Sequence, residues 1–72
     1  MLQIYFKKSY GDVVEVAQVE SLDLAYNEIE KFCIDRGFQI TYVRRWEQEN
    51  MMIVDVGSYM ELFYVVEIQD NK

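Results

Sequence analysis

The residues from Asp55 to Ser58 have the types and spacing to place a reactive carboxylate on a tight loop. They read Asp-Val-Gly-Ser and follow an apolar run that begins at Met51. A carboxylate on such a loop, met by its twin from a second copy of the chain, could share one proton with it and act as general acid and base. This chemistry would make the chain half of a dimeric hydrolase.

The surrounding sequence favours a turn over a catalytic loop. The Asp-Thr-Gly-Ser signature of aspartic proteases has threonine where this chain has Val56, and the sequence contains no long glycine-tipped flap hairpin. It also contains no second hydrophobic-hydrophobic-glycine motif to support an active-site loop. We therefore interpret Asp55 as the end of a strand, Gly57 as the source of the turn's unusual dihedral angles, and Ser58 as a local hydrogen-bonding residue.

The composition provides little for other catalytic or cofactor chemistry. The chain has no histidine to activate its serines or Cys33 as a nucleophile. One cysteine without histidine is not a zinc site, and neither glycine-rich phosphate-binding pattern occurs. The acidic segment 47–50 lacks the calcium-loop spacing and is interpreted as a solvated turn. The sequence therefore predicts a protein that is not an enzyme, with no cofactor, no metal and no evident small-molecule substrate.

Length limits how the chain can be stabilised. Its 72 residues predict a single small domain, 1–72, which buries only about 60% of the surface that the unfolded chain exposes. Small domains often need a disulfide, a metal or a partner subunit, and the single Cys33 cannot form an internal disulfide. Of these supports, association remains. The sequence shows no apolar run of membrane-spanning length and no signal peptide, so we expect a reducing cytoplasm.

Hydrophobic periodicity predicts the elements that position these residues. Alternation over 2–7 and 13–19 predicts a hairpin, and a helix over 21–36 is predicted from Ser21 as N-cap and Gly37 as its left-handed end. Three more strand-like runs follow at 38–47, 51–56 and 60–68. Consecutive strands joined by short loops pair antiparallel. The predicted fold is α+β: one helix on a five-stranded antiparallel sheet, in the order ββαβββ.

The last two strands are apolar on both faces, whereas one helix covers only one face of a sheet. We therefore predict a non-enzymatic protein-interaction module of unknown process, a homodimer or the receiver of another protein partner. The predicted interface on the sheet consists of Tyr5, Val43, Ile53, Phe63 and Val65. The alternative is a monomer whose strongly twisted sheet leaves scattered apolar residues exposed.

Charge gives two further alternatives. The formal net charge of −6 disfavours non-specific binding to nucleic acid and favours solubility. It also permits an acidic, DNA-mimicking inhibitor of a host protein that handles nucleic acid. The carboxylates of its predicted acidic surface lie on the helix, and they are Asp23, Glu28, Glu30 and Asp35.

One basic cluster opposes this overall charge. Lys7, Arg45 and Trp46 are candidates for contact with a nucleic acid or a partner, because arginine and aromatic side chains together stack single-stranded bases. Adjacent arginines at 44 and 45 point to opposite faces of a strand, however. The structural alternative is an arginine paired across strands with Glu15, Glu47 or Glu67. A single-strand nucleic-acid binder using Arg45 and the sheet aromatics therefore remains an alternative function.

The C-terminal half also resembles a group of known proteins. The matching segments are Arg44-Arg45-Trp46, Val54-Asp55-Val56-Gly57-Ser58 and Glu61-Leu62-Phe63-Tyr64. They are similar to segments of small uncharacterised proteins of phages, prophages and mobile elements in low-GC Gram-positive bacteria. This resemblance implies an intracellular accessory protein with no activity to transfer, and it favours a host enzyme as partner.

Overall fold

The described residues of the chain fold into one helix packed on a five-stranded antiparallel sheet, so the predicted α+β fold and element order are confirmed. The computed structural model describes residues 1–8, 11–57 and 62–68. The elements are β1 (Leu2–Lys7), β2 (Val13–Val19), α1 (Leu22–Arg36), β3 (Arg44–Gln48), β4 (Met51–Asp55) and β5 (Leu62–Glu67).

The strands lie in the order β2-β1-β5-β4-β3. Every neighbouring pair is antiparallel, and the first and last strands of the series, β1 and β5, lie side by side in the middle. Three of these pairs, β1–β2, β3–β4 and β4–β5, join strands that are consecutive in the chain, and β1–β5 is the single long-range pairing. This arrangement makes β2 and β3 the two edges of the sheet.

The helix begins and ends as its sequence predicts. The Ser21 hydroxyl accepts a hydrogen bond from the backbone N–H of Leu24 at 3.3 Å, which satisfies one of the first-turn donors. At the other end Gly37 has φ 74°, and its N–H donates to the carbonyl of Ile34 at 3.2 Å. The N–H of Phe38 donates to the carbonyl of Cys33 at 2.8 Å, which completes a Schellman ending.

The core lies between the helix and the face of the sheet that carries Ile4 and Phe6. Ala25, Ile29 and Cys33 form the buried stripe of α1. The strand residues buried in the same cluster are Ile4, Phe6, Val54, Val56, Phe63 and Val65. Phe6 is central, with ring centroids at 4.9 Å from Phe32 and 5.1 Å from Phe63. Full burial of a side chain of this size contributes roughly 1.5–3 kcal/mol, so these few residues account for much of the stability.

The third strand is shorter than predicted. It covers Arg44–Gln48, whereas the sequence predicts a strand over 38–47. Phe38 and Ile40 instead pack on the core from the connection that leaves the helix, and Thr41 donates its N–H to the carbonyl of Val56 at 3.1 Å. Phe38 and Ile40 therefore serve packing and not strand pairing, whereas Tyr42 and Val43 are exposed. The predicted β5 start at 60–61 lies outside the described residues.

A two-residue turn joins β3 to β4. Its residues, Glu49 and Asn50, both have positive φ, 51° and 66°, and the flanking pair Gln48–Met51 is in register. Positive φ at both central positions is the mark of a type I′ turn, which matches the twist of the strands that it connects. Asparagine tolerates this conformation, whereas glutamate is strained by it.

Candidate interaction surface

The face of the sheet opposite the helix carries an unbroken row of large side chains. The cross-strand register places Glu15, Tyr5, Tyr64, Ile53 and Trp46 in one line from β2 to β3. We call this side of the sheet the open face; it also carries Gln3, Lys7, Gln18, Arg44, Gln48, Met51, Asp55, Leu62 and Val66. Ile53 is only 6% exposed although α1 lies on the other side of the sheet, because Tyr64 and Trp46 flank it in register.

A buried amide fixes the β1–β2 end of the open face. The pairing of these strands shifts between Ile4 and Tyr5, which marks a β-bulge. The Gln3 Nε2 donates to the carbonyl of Ala17 at 3.1 Å, and the Gln18 Nε2 donates to Gln3 Oε1 at 2.8 Å. These bonds satisfy a side chain that is almost fully buried and hold the hairpin in one register.

At the other end of the open face, Asp55 organises the turn that follows β4. Its Oδ2 accepts from Arg44 Nη2 at 2.9 Å, and its Oδ1 accepts from the backbone N–H of Gly57 at 2.8 Å. Gly57 has φ 84°, a conformation that favours glycine. The interpretation of Asp55 as a strand end and Gly57 as the turn residue is thus confirmed. Ser58, the third residue of that interpretation, and Ser9 lie outside the described residues.

Arg44 joins this ion pair to the aromatic row. Its guanidinium carbon lies 5.5 Å from the Trp46 ring centroid and 5.8 Å from that of Tyr42, within the range of cation–π attraction. The cross-strand partner of the arginine is therefore Asp55; the predicted partners Glu15, Glu47 and Glu67 were wrong. Arg44 is not among the contact residues predicted from the sequence. Strand alternation could have identified it, because it places Arg44 and Trp46 on one face of β3 and Arg45 on the other.

The structure divides the predicted interface between two faces. Tyr5 and Ile53 lie on the open face, and Val43, just before β3, is 57% exposed. Phe63 and Val65 lie in the core under the helix, at 0% and 4% exposure. Including these two was wrong, because the register places them opposite Phe6 and Ile4 on the helix side. Alternation separates the two faces of a strand but does not say which face a helix covers; the β5 residue on the open face is Tyr64.

The predicted basic contact residues do not form one patch. Lys7 and Trp46 alternate onto the open face, whereas Arg45 lies on the helix side and donates from Nη1 to the Tyr26 hydroxyl at 3.0 Å. The cation that shares a face with Trp46 is Arg44. A platform that combines Arg45 with the sheet aromatics is therefore not what the fold presents.

The predicted acidic residues all lie on the helix, but on two sides of it. At 100° per residue, Asp23 and Glu30 fall on one flank of the buried stripe, and Glu28 and Asp35 fall on the other. Lys31 and the exposed side chains of Leu24 and Ile34 occupy the outer surface between these pairs. The four carboxylates consequently do not form a single row of the kind that would imitate a phosphate backbone.

A shallow groove lies on the helix side, where α1 does not reach the β3–β4 hairpin. It has a volume of about 590 Å³, and its apolar lining consists of Leu2, Leu22, Met51, Met52 and Val65. The polar lining consists of Glu47, Glu67 and Asn50.

Among the described residues, no group of three or more His, Cys, Asp or Glu side chains could hold a metal ion. In the same part of the chain, no helix is both long and apolar enough to cross a membrane.

Comparison with known proteins adds no family to this description. The chain matches no protein-family model, no curated protein and no solved structure. The resemblance of the C-terminal half to phage and mobile-element proteins therefore stays a prediction.

Proposed function

We propose that this chain is a non-enzymatic protein-interaction module that associates with a second copy of itself through the open face. The observation that carries the proposal is the row Tyr5–Tyr64–Ile53–Trp46, which crosses four strands on the side of the sheet that the helix leaves uncovered. A contiguous apolar surface on a small domain marks an interaction site more often than a solvated one.

The charges of the open face support a second copy as the partner. Its strands carry two cations, Lys7 and Arg44, and two carboxylates, Glu15 and Asp55. The face is thus balanced, whereas the whole chain carries a formal net charge of −6. Two copies that meet through this face bring together surfaces with no formal net charge, so the overall charge of each chain opposes this contact less than it would a contact between acidic surfaces.

The aromatic side chains of the open face would contribute binding free energy as well as buried area to an interface. Tyrosine and tryptophan are enriched at the centres of protein interfaces because they bury large rigid rings with little loss of side-chain entropy. Tyr5 and Tyr64 are directly opposite on neighbouring central strands, so a partner would contact both rings. We further propose that the module works in the cytoplasm, which agrees with its single cysteine being buried in the core.

The test is the solution mass by light scattering over a dilution series. We expect the wild type to exceed the mass of one chain, and the paired change Tyr5→Ser with Tyr64→Ser to lower that mass. The control is Ile34→Ser, which removes a more exposed apolar side chain from the outer surface of α1. Circular dichroism checks that all variants keep the fold. A wild type of one chain at every concentration, or a paired variant with wild-type mass, would overturn the proposal.

A further inference from the structure

β3 is the strand of the sheet whose residues are most exposed. All five residues of the strand are exposed, and within the described part of the chain no strand pairs with its outer side. Two of the exposed large hydrophobic side chains, Tyr42 and Val43, lie immediately before it, and Trp46 at 38% exposure lies at its centre. Such an edge is a template for adding another strand unless its sequence prevents it.

The turn determines which backbone groups this edge presents. Gln48 and Met51 flank the two-residue turn and form its hydrogen-bonded pair. Hydrogen-bonded and non-hydrogen-bonded pairs alternate along an antiparallel ladder, so Trp46–Ile53 is hydrogen-bonded and Arg45–Val54 is not. The backbone N–H and C=O groups of Arg45 and Glu47 therefore point away from β4, toward the outer edge.

We propose that β3 pairs with β3 of a second copy, antiparallel and in the register centred on Trp46. In this register Arg45 lies opposite Glu47 of the second copy, and its Glu47 lies opposite Arg45 of the second copy. The outward N–H and C=O groups of these residues form four backbone hydrogen bonds, the pattern of a hydrogen-bonded pair on each side of the two-fold axis.

The side chains of β3 are complementary in the same register. Each copy contributes one cation and one carboxylate on the helix side, so two pairs of opposite charge face each other directly across the strands. Arg45 keeps donors for a carboxylate while Nη1 donates to Tyr26. The two Trp46 side chains meet on the open face as a non-hydrogen-bonded pair, the closer kind of cross-strand contact. The charges of this edge thus permit pairing with its own copy.

The other edge does not offer this fit. β2 carries a bulge, and bulges protect edges by twisting them away. Its helix-side residues are half-buried against α1. Self-pairing centred on Val16 would place Glu15 opposite Ala17 of the second copy, with no opposite charge to meet it. Edge pairing is therefore specific to β3.

This contact is separate from the one in the proposed function. Edge pairing joins two five-stranded sheets into one sheet of ten strands and leaves the open face uncovered, with the aromatic rows of both copies end to end. If both contacts form, two edge-paired dimers associate face to face and the assembly contains four chains. A five-residue edge is small compared with a standard interface, so the mass is measured up to high chain concentration.

The test exchanges charges across the edge. Glu47→Arg places cations opposite cations in both pairs, and Arg45→Glu places carboxylates opposite carboxylates. Each single variant should raise the dissociation constant of the edge contact about tenfold or more. An equimolar mixture of the two variants restores opposite charges in both pairs and should associate as a mixed species, and so should the chain that carries both changes.

Two control variants separate local pairing from total charge. Glu30→Arg and Lys31→Glu change the net charge by the same amounts at exposed positions of the helix, and they should keep the wild-type mass. The paired variant Tyr5→Ser with Tyr64→Ser should still form a two-chain species that Glu47→Arg abolishes. If the proposed face contact fails and edge pairing holds, the paired face variant keeps the wild-type mass. Edge pairing is overturned if either single variant keeps the wild-type mass or if the mixture behaves as its separate components do.

Discussion

The helix-covered part of the sheet and the β3–β4 hairpin use similar residues for different purposes. Phe63, in β5 under the helix, is fully buried, whereas Trp46, a larger aromatic in β3, is 38% exposed. A helix of 15 residues is about 22 Å long and roughly 10 Å wide, and it covers about two strands at 4.8 Å spacing. One helix therefore stabilises one side of the molecule and leaves the other side available for contacts.

The largest expected effect breaks the covered part. Phe63→Ala should lower the free energy of unfolding by about 3–5 kcal/mol, because the surrounding rings cannot fill the cavity. Trp46→Ala should cost less, about 1–2 kcal/mol, since 38% of the residue is already exposed to water. Urea unfolding at one fixed chain concentration measures both, because association adds to apparent stability. Equal losses would contradict the difference between the two regions.

The next effect concerns Gly57, in the turn that follows β4. Gly57→Ala should cost about 3 kcal/mol, because the new methyl group would collide with the Thr41 side chain and positive φ is unfavourable for alanine. The matched control is Gly11→Ala, at φ 91° with open space around it, which should cost about 1–2 kcal/mol from backbone strain alone. Thermal unfolding compares the two variants. A Gly57→Ala variant no less stable than Gly11→Ala would show that residues 41 and 42 move aside.

A smaller effect is expected at the ion pair between Arg44 and Asp55, the residue that also accepts a hydrogen bond from Gly57. Asp55→Ala should cost about 1–3 kcal/mol, because the backbone N–H of Gly57 loses the acceptor that satisfies it. Arg44→Ala should cost less than about 1 kcal/mol, since 65% of its side chain is exposed and surface ion pairs contribute little. Denaturant midpoints of the two variants measure the difference. A larger loss for Arg44→Ala would mean that its contacts with Tyr42 and Trp46 outweigh the turn.

The smallest effect improves the hairpin. Glu49→Asn should raise the free energy of unfolding by about 0.5–1 kcal/mol, because asparagine adopts the positive φ of a type I′ turn more readily than glutamate. Glu47→Asn, in the neighbouring strand, is the control for loss of a carboxylate and should not stabilise the chain. Calorimetry resolves a change of this size, and a drop in the midpoint for Glu49→Asn would contradict the assigned turn conformation.

Local signals in the sequence predicted the helix and its two ends, because Ser21 and Gly37 act on backbone groups within a few residues of themselves. The sequence did not predict that β1 and β5 are neighbours, since that pairing joins distant residues and leaves no local pattern. Without the strand order, alternation does not identify the covered face of β5, which is why Phe63 and Val65 are wrongly predicted as interface residues. The strand propensity of residues 38–43 is also misleading, because Phe38 and Ile40 pack on the core. Gly57, which has no side chain, leaves room for Thr41 and Tyr42 to lie close to it.

The pairing of β1 with β5 also determines when the fold can form during synthesis. These strands are neighbours along their whole length, with Leu2 opposite Glu67 and Lys7 opposite Leu62. When the helix and the β3–β4 hairpin have left the ribosome, β5 is still inside it. Ile4 and Phe6 of β1 therefore lack their cross-strand partners in β5, Val65 and Phe63. Closing so long a loop is slow compared with forming a hairpin. Translation must therefore reach β5 before the two local hairpins can become one sheet.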